Sequence, residues 1–143
     1  MNKKGFTLIE LLVVVAIIGL LATLSIVALN SARARARDAK RVADVKQVQT
    51  ALELYYNDFG QYPATVATSI VGTPSGASST FYMNVVPTAP LPADGNCTNA
   101  SSSNSYTYTV QDNNRSYTMS YCIGAATGGI PAGVNKATPA GIR

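Results

Sequence analysis

The chain predicts an α+β fold in which one long N-terminal helix, membrane-spanning over its first half, packs against a small antiparallel sheet. Three observations predict it. Residues 11–29 form an unbroken run with no charged side chain. Val42, Val45, Val48, Leu52, Tyr55 and Phe59 recur every three or four positions, the period of one helix face. Tyr106, Tyr108 and Val110, and then Tyr117, Met119, Tyr121 and Ile123, alternate with polar or small residues, the period of two strands.

Composition narrows the function. A chain of 143 residues holds one small domain and an appendage, and no internal repeat is visible. Hydrophobic residues make up 47% and charged residues 13%, with the apolar weight gathered near the N-terminus. There is no His, and the two cysteines are Cys97 and Cys122. That leaves no C-x-x-C, no zinc spacing and no thiol–imidazole pair, so no metal site, cofactor or catalytic residue is assigned and the chain is read as a non-enzyme. The carboxylates Asp38, Asp44, Glu53 and Asp58 read as helix-surface charge.

Taken in order, residues 11–29 would extend about 28 Å as a helix, close to the thickness of a bilayer core. A cleaved secretory signal is the competing reading. Its apolar region would be about 7 to 15 residues long, shorter than this run. Glu10 sits at the edge of the run, with no basic residue after it until Arg33. A carboxylate in a bilayer is costly, so Glu10 either reaches headgroup water or meets a positive partner. Lys3 and Lys4 are candidates, as is a free Phe6 amine if the chain is cut there.

Beyond residue 30 the sequence stays helix-favouring, without Pro or Gly until Gly60, and Gly60 followed by Pro63 ends it. A single helix over residues 6–58 would be about 80 Å long. Residues 64–105 read as loops broken by one strand at 80–86. A hairpin follows. With Asn113 and Asn114 as its turn, Val110 faces Tyr117, Tyr108 faces Met119 and Tyr106 faces Tyr121, giving an apolar face that can cover the helix stripe. The tyrosines could instead form a stacking platform for single-stranded nucleic acid, but their apolar partner is already present in the chain. Three N-x-[ST] triplets, beginning at Asn96, Asn99 and Asn114, are read as chance.

The stretch "KKGFTLIELLVVVAIIGLLA" resembles the class III signal of type IV prepilins and type II secretion pseudopilins: a short basic leader, Gly, Phe, and Glu four residues after the Phe. "ALELYYNDFGQYP" is similar to the helix end of major pseudopilins and short pilins. The two stretches lie within the first 63 residues. The resemblance implies a type IV pilin-like fold with a leader at 1–5, a transmembrane and polymerisation helix at 6–30, the amphipathic half of that helix at 31–60, and a small globular β domain with loops at 61–143. It implies cleavage between Gly5 and Phe6 by a prepilin peptidase, methylation of the Phe6 amine, and delivery through an inner-membrane assembly platform into a homopolymeric filament, or fimbrium. The product would be a single-pass membrane precursor and then an extracellular or periplasmic filament. In that filament the Phe6 ammonium of one subunit would meet Glu10 of another, and a buried ion pair of this kind favours one register.

The same resemblance places the β domain in an oxidising compartment, which implies a Cys97–Cys122 disulfide in preference to two free thiols. Two features depart from the family pattern. Val27 stands where many members carry Pro, removing one cause of a helix kink. Major pseudopilins of type II secretion usually hold calcium in a carboxylate-bearing C-terminal loop, and residues 124–143 contain no Asp or Glu.

The formal net charge of +4 falls by two if Lys3 and Lys4 leave with a leader. The candidate basic surface is Arg33, Arg35, Arg37, Lys40 and Arg41, read as a solvated helix face. A positive-inside count would place this cluster in the cytoplasm, opposite to the topology that the leader motif implies. Three functions follow: a type IV pilus-like filament subunit, a type II secretion pseudopilin, and a membrane-anchored protein binding DNA through the basic cluster.

Overall fold

The computed structural model describes residues 5–73, 78–97 and 105–142. The chain divides into two compact units, Met1–Ala34 and Arg35–Arg143. Helix α1 runs unbroken over Leu8–Phe59, and no interruption falls at Gly19 or Val27. In the first unit its side chains are exposed, from Phe6 through Leu29, and the segment is long and apolar enough to cross a membrane. The hydroxyls in this stretch bond to their own helix: Thr23 Oγ1 donates to Leu20 O and Ser25 Oγ to Leu21 O, both at 2.8 Å. No hydroxyl there needs an external partner.

In the second unit Val45, Val48, Ala51 and Leu52 are buried, with Val42 and Tyr55 partly so, along the face that the spacing predicts. Gly60 ends the helix at φ +65°, donating its N–H to Tyr56 O at 2.7 Å; a side chain is strained in this left-handed conformation.

Strands β1 (Ile70–Gly72) and β2 (Thr80–Met83) form a two-stranded antiparallel sheet. β1 falls where the sequence reads as loop, and β2 is shorter than the strand expected at 80–86. Strands β3 (Thr107–Gln111), β4 (Ser116–Ile123), β5 (Gly133–Thr138) and β6 (Gly141–Ile142) make a four-stranded sheet in sequence order. Val110 pairs with Tyr117 and Tyr108 with Met119, as the alternation predicts. Tyr106 stands one residue outside the ladder, which opens at Thr107 opposite Ser120. The turn is wider than Asn113–Asn114 alone. It takes in residues 112–115, with Asp112, Asn113 and Asn114 all at positive φ, a conformation that Asp and Asn tolerate better than most residues. Tyr117, Met119, Tyr121, Ile123 and Ala137 close onto the helix stripe, together with Tyr62 and Ile70, as one core.

Candidate functional site

At the N-terminus the helix begins on a reciprocal cap. Thr7 donates to Glu10 Oε2 through its backbone N–H at 2.9 Å and through Oγ1 at 2.7 Å, while the Glu10 N–H bonds to Thr7 Oγ1 at 3.3 Å. This is a capping box, which satisfies helix-end donors that have no intrahelical partner. The T-x-x-E spacing at residues 7–10 is its sequence signal, and sequence reasoning about the charge alone passes over it. Glu10 makes no ion pair among the described residues, and Phe6 is 82% exposed. Two hydrogen bonds leave part of the acceptor capacity of the carboxylate unused. The alternative partners Lys3 and Lys4 lie outside the described residues.

The basic cluster is not one solvated face. Arg33, Arg35 and Lys40 are exposed, but Arg37 forks onto Asp94, with Nε to Oδ2 and Nη2 to Oδ1 both at 2.6 Å. Arg41 is fully buried: Nη1 donates to Asp38 at 2.7 Å, and Nη2 to the carbonyls of Pro90 at 2.9 Å and Pro92 at 3.3 Å. These two residues turn inward because a loop 50 or so residues away in sequence brings a carboxylate and carbonyls to them, pairing a planar guanidinium can match in its fork geometry. Hydrogen bonding from Arg37 holds the Asp94 carboxyl below the usual carboxylate range, and the same bonds raise Arg37.

The helix carboxylates are likewise more than surface charge. Asp38 is fully buried and accepts the N–H groups of Gly124 and Ala125, each at 2.9 Å. Asp44 accepts the Tyr106 hydroxyl at 3.0 Å. Glu53 accepts Tyr62 and Asp58 accepts Tyr82. Burial first, and then the neighbouring carboxylate, pushes the Tyr62 and Tyr106 hydroxyls up.

Beside this cluster Cys97, at the end of the 3-10 turn Gly95–Cys97, is bonded to Cys122 of β4, with Cα atoms 5.9 Å apart. The backbones meet closely here. A Cβ on Gly124 would run into the Asp94 carbonyl, and one on Gly95 into the Gly124 carbonyl. Of the three glycosylation-like triplets, the one at Asn99 lies outside the described residues, Cys97 of the first is in the disulfide, and Asn114 of the third is in the hairpin turn. Among the described residues no group of three His, Cys, Asp or Glu side chains could hold a metal ion.

A capped, exposed helix of membrane-spanning length and a disulfide-bonded α+β unit are the two parts of the chain, and its N-terminus is of the prepilin type. Residues 1–26 match the family described as "Prokaryotic N-terminal methylation motif". The chain is 40% identical over 64 residues to "Type II secretion system core protein G" of Escherichia coli (strain K12), covering 45% of this chain and 44% of that protein. It is 35% identical over 84 residues to "Type IV major pilin protein PilE1" of Neisseria gonorrhoeae (59% and 51%) and 32% identical over 83 residues to "Fimbrial protein" of Neisseria meningitidis serogroup B (58% and 49%). The chain thus spans about half the length of these curated relatives. No solved structure matches it. The likeness to pilins and pseudopilins is real over the N-terminal region, and the prepilin signal with its apolar helix fits a membrane-anchored precursor.

Proposed function

We propose that this chain is the structural subunit of a type IV pilus-like filament. A prepilin peptidase cuts between Gly5 and Phe6, the new Phe6 amine is methylated, and an inner-membrane platform assembles the subunits through residues 6–30 into an extracellular or periplasmic homopolymer. The observation that supports this best is the continuity of the prepilin-type motif with one unbroken helix: apolar and exposed over residues 11–29, and carrying the buried stripe of a folded unit from Val42 onward. An apolar face of that length needs lipid or other helices around it. The second reading, a type II secretion pseudopilin, has its own support in the identity to core protein G. The DNA-binding reading loses support, since Arg37 and Arg41 are engaged internally.

Electron microscopy of material sheared from producing cells, with mass spectrometry of its subunits, tests the proposal. Filaments built of chains that begin at Phe6 are the expected result. Chains retaining residues 1–5 in filaments, or no filaments at all, would overturn it. Loss of protein export on deletion, with no surface filaments, would favour the pseudopilin reading.

A further inference from the structure

Ionisable side chains are sorted along the helix of the second unit. In its early turns Arg35, Lys40 and Lys46 are exposed and form no ion pair among the described residues. The acids of those turns face inward, Asp38 onto Arg41 and the amides of Gly124 and Ala125, and Asp44 onto Tyr106. The last two turns reverse the order. No Lys or Arg follows Lys46 on the helix, and Glu53 and Asp58 are exposed. Tyrosines hold both acids in place: Tyr62 donates to Glu53 at 3.0 and 3.1 Å, and Tyr82 to Asp58 at 2.5 Å. A carboxylate that accepts one tyrosine hydroxyl retains free lone pairs, so each acid is displayed at a set position and can still accept. The hairpin turn reaches the same end, where Asn114 O accepts the Tyr62 N–H; it adds one charge of each sign, Asp112 and Arg115, and the end stays acidic.

We propose that these two ends meet between copies of this chain: the basic start of one helix, with Lys40 foremost, docks on the acidic end of a neighbour, with Glu53 foremost. The inference rests on the filament reading and names the contact that would set the stagger between subunits. The occupant is a second copy because each molecule carries both complementary signs, at different ends and on different sides of the same helix. Thirteen residues separate Lys40 from Glu53. At 1.5 Å and 100° per residue that is about 20 Å along the axis and about 140° around it. Residues on nearly opposite sides of a helix cannot both face one two-fold-related partner. The contact is therefore head-to-tail, the kind that propagates into an open helical assembly when its rotation does not close.

Charge swapping in the full chain tests this. Lys40→Glu and Glu53→Lys each place like charges in the contact and should cut the yield of sheared filaments about tenfold, while the double swap restores it. Yield is normalised to subunit abundance in the membrane, because Glu53→Lys also removes the acceptor of the Tyr62 hydroxyl, and the Phe6 start should be unchanged in all three. Parental yield from both single variants, or a double swap as deficient as the singles at parental subunit abundance, would overturn the inference and leave the filament reading standing. Salt gives a readout that needs no variant: parental filaments should shorten between about 0.1 M and about 1 M NaCl, as the Debye length falls from about 10 Å to about 3 Å. Filaments of unchanged length would count against the contact. A parental chain that forms no filaments would remove both readings.

Discussion

Arg41 and Asp38 sit one helical turn apart with no solvent exposure on either side chain, and Nη1 of Arg41 reaches Asp38 Oδ1 at 2.7 Å. Taking both charges out of water costs several kcal/mol per ion, so the pair persists only because other groups complete it. The amides of Gly124 and Ala125 serve Asp38, and the carbonyls of Pro90 and Pro92 serve Arg41. Through this pair the helix holds both the end of β4 and the loop that leads to the disulfide.

Asp38→Ala takes from the buried Arg41 its nearest carboxylate, leaving Asp94 at 3.5 Å and two carbonyls, and takes the acceptor from two amides; it should lower the stability of the folded unit by about 3 kcal/mol. Urea unfolding of the full chain in detergent micelles, followed by near-ultraviolet circular dichroism, reads this. A change below about 1 kcal/mol would mean that Arg41 finds solvent by local opening, and that the cluster is not closed as described.

This cluster marks where the sequence stops being legible. The helix stripe from Val42 to Phe59 and the pairing of Val110 with Tyr117 could be read because period 3.6 and period 2 are local patterns of apolar residues. The inward turn of Asp38, Arg37 and Arg41 could not, because their partners Asp94, Pro90 and Gly124 lie roughly 50 to 90 residues away and the residues themselves look like ordinary surface charge. β5 escaped for another reason: its inward residues are Asn135 and Ala137, too polar and too small to mark an alternation. At the N-terminus the Glu10 carboxylate is legible as an anomaly, while its partner Thr7, three positions away, is hidden because the T-x-x-E cap signal is masked by the apolar run that follows.

Cys97 and Cys122 should resist alkylation in denatured, nonreduced protein taken from producing cells. Their separation of 25 positions closes a loop for which the chain-entropy account gives about 3 to 4 kcal/mol, so Cys122→Ser should lower the urea midpoint accordingly. Two labelled thiols before reduction would show that the bond does not form in the cell.

Stability should hold on a plateau between two titrations. Burial pushes the Tyr117 and Tyr121 hydroxyls up to about 12, so the neutral phenols favour the fold; that stabilisation is present below about pH 10 and lost as pH rises towards 12. Asp94 is shifted the other way. Its carboxyl, lowered by the Arg37 hydrogen bonds, stabilises the fold above the unfolded value near pH 3.9, and this is lost as pH falls through the lower folded value. Absorbance at about 295 nm should show part of the tyrosine ionisation delayed beyond pH 10 until unfolding. Asp94→Asn should flatten the acid limb, and an acid limb unchanged by that substitution would remove the Arg37–Asp94 pair from the account.

Glu10 caps the helix in this chain and has a second, proposed role in assembly, and one substitution divides the two. In this chain its carboxylate closes the cap with Thr7, a role that glutamine fills almost as well, because the amide oxygen accepts the same hydrogen bonds. In the proposed assembly it also offers a negative charge to the Phe6 ammonium of a neighbour, which glutamine cannot do. If capping is the whole of its role, Glu10→Gln should assemble like the parent, while Glu10→Val and Thr7→Ala, which both break the cap, should fail together. The charge-pairing proposal gives the opposite order: Glu10→Gln and Glu10→Val both insert into the membrane and are cut after Gly5, yet neither polymerises, while Thr7→Ala loses only about 1 kcal/mol of helix capping and still yields filaments. Filament yield by electron microscopy, with the mass of the N-terminal peptide as a control for cleavage, reads all three variants. We expect the second order, because an uncharged side chain would satisfy the cap without the cost that an ionised carboxylate carries beside a membrane-length apolar run. Normal filaments built wholly from Glu10→Gln subunits would assign the residue to the cap alone.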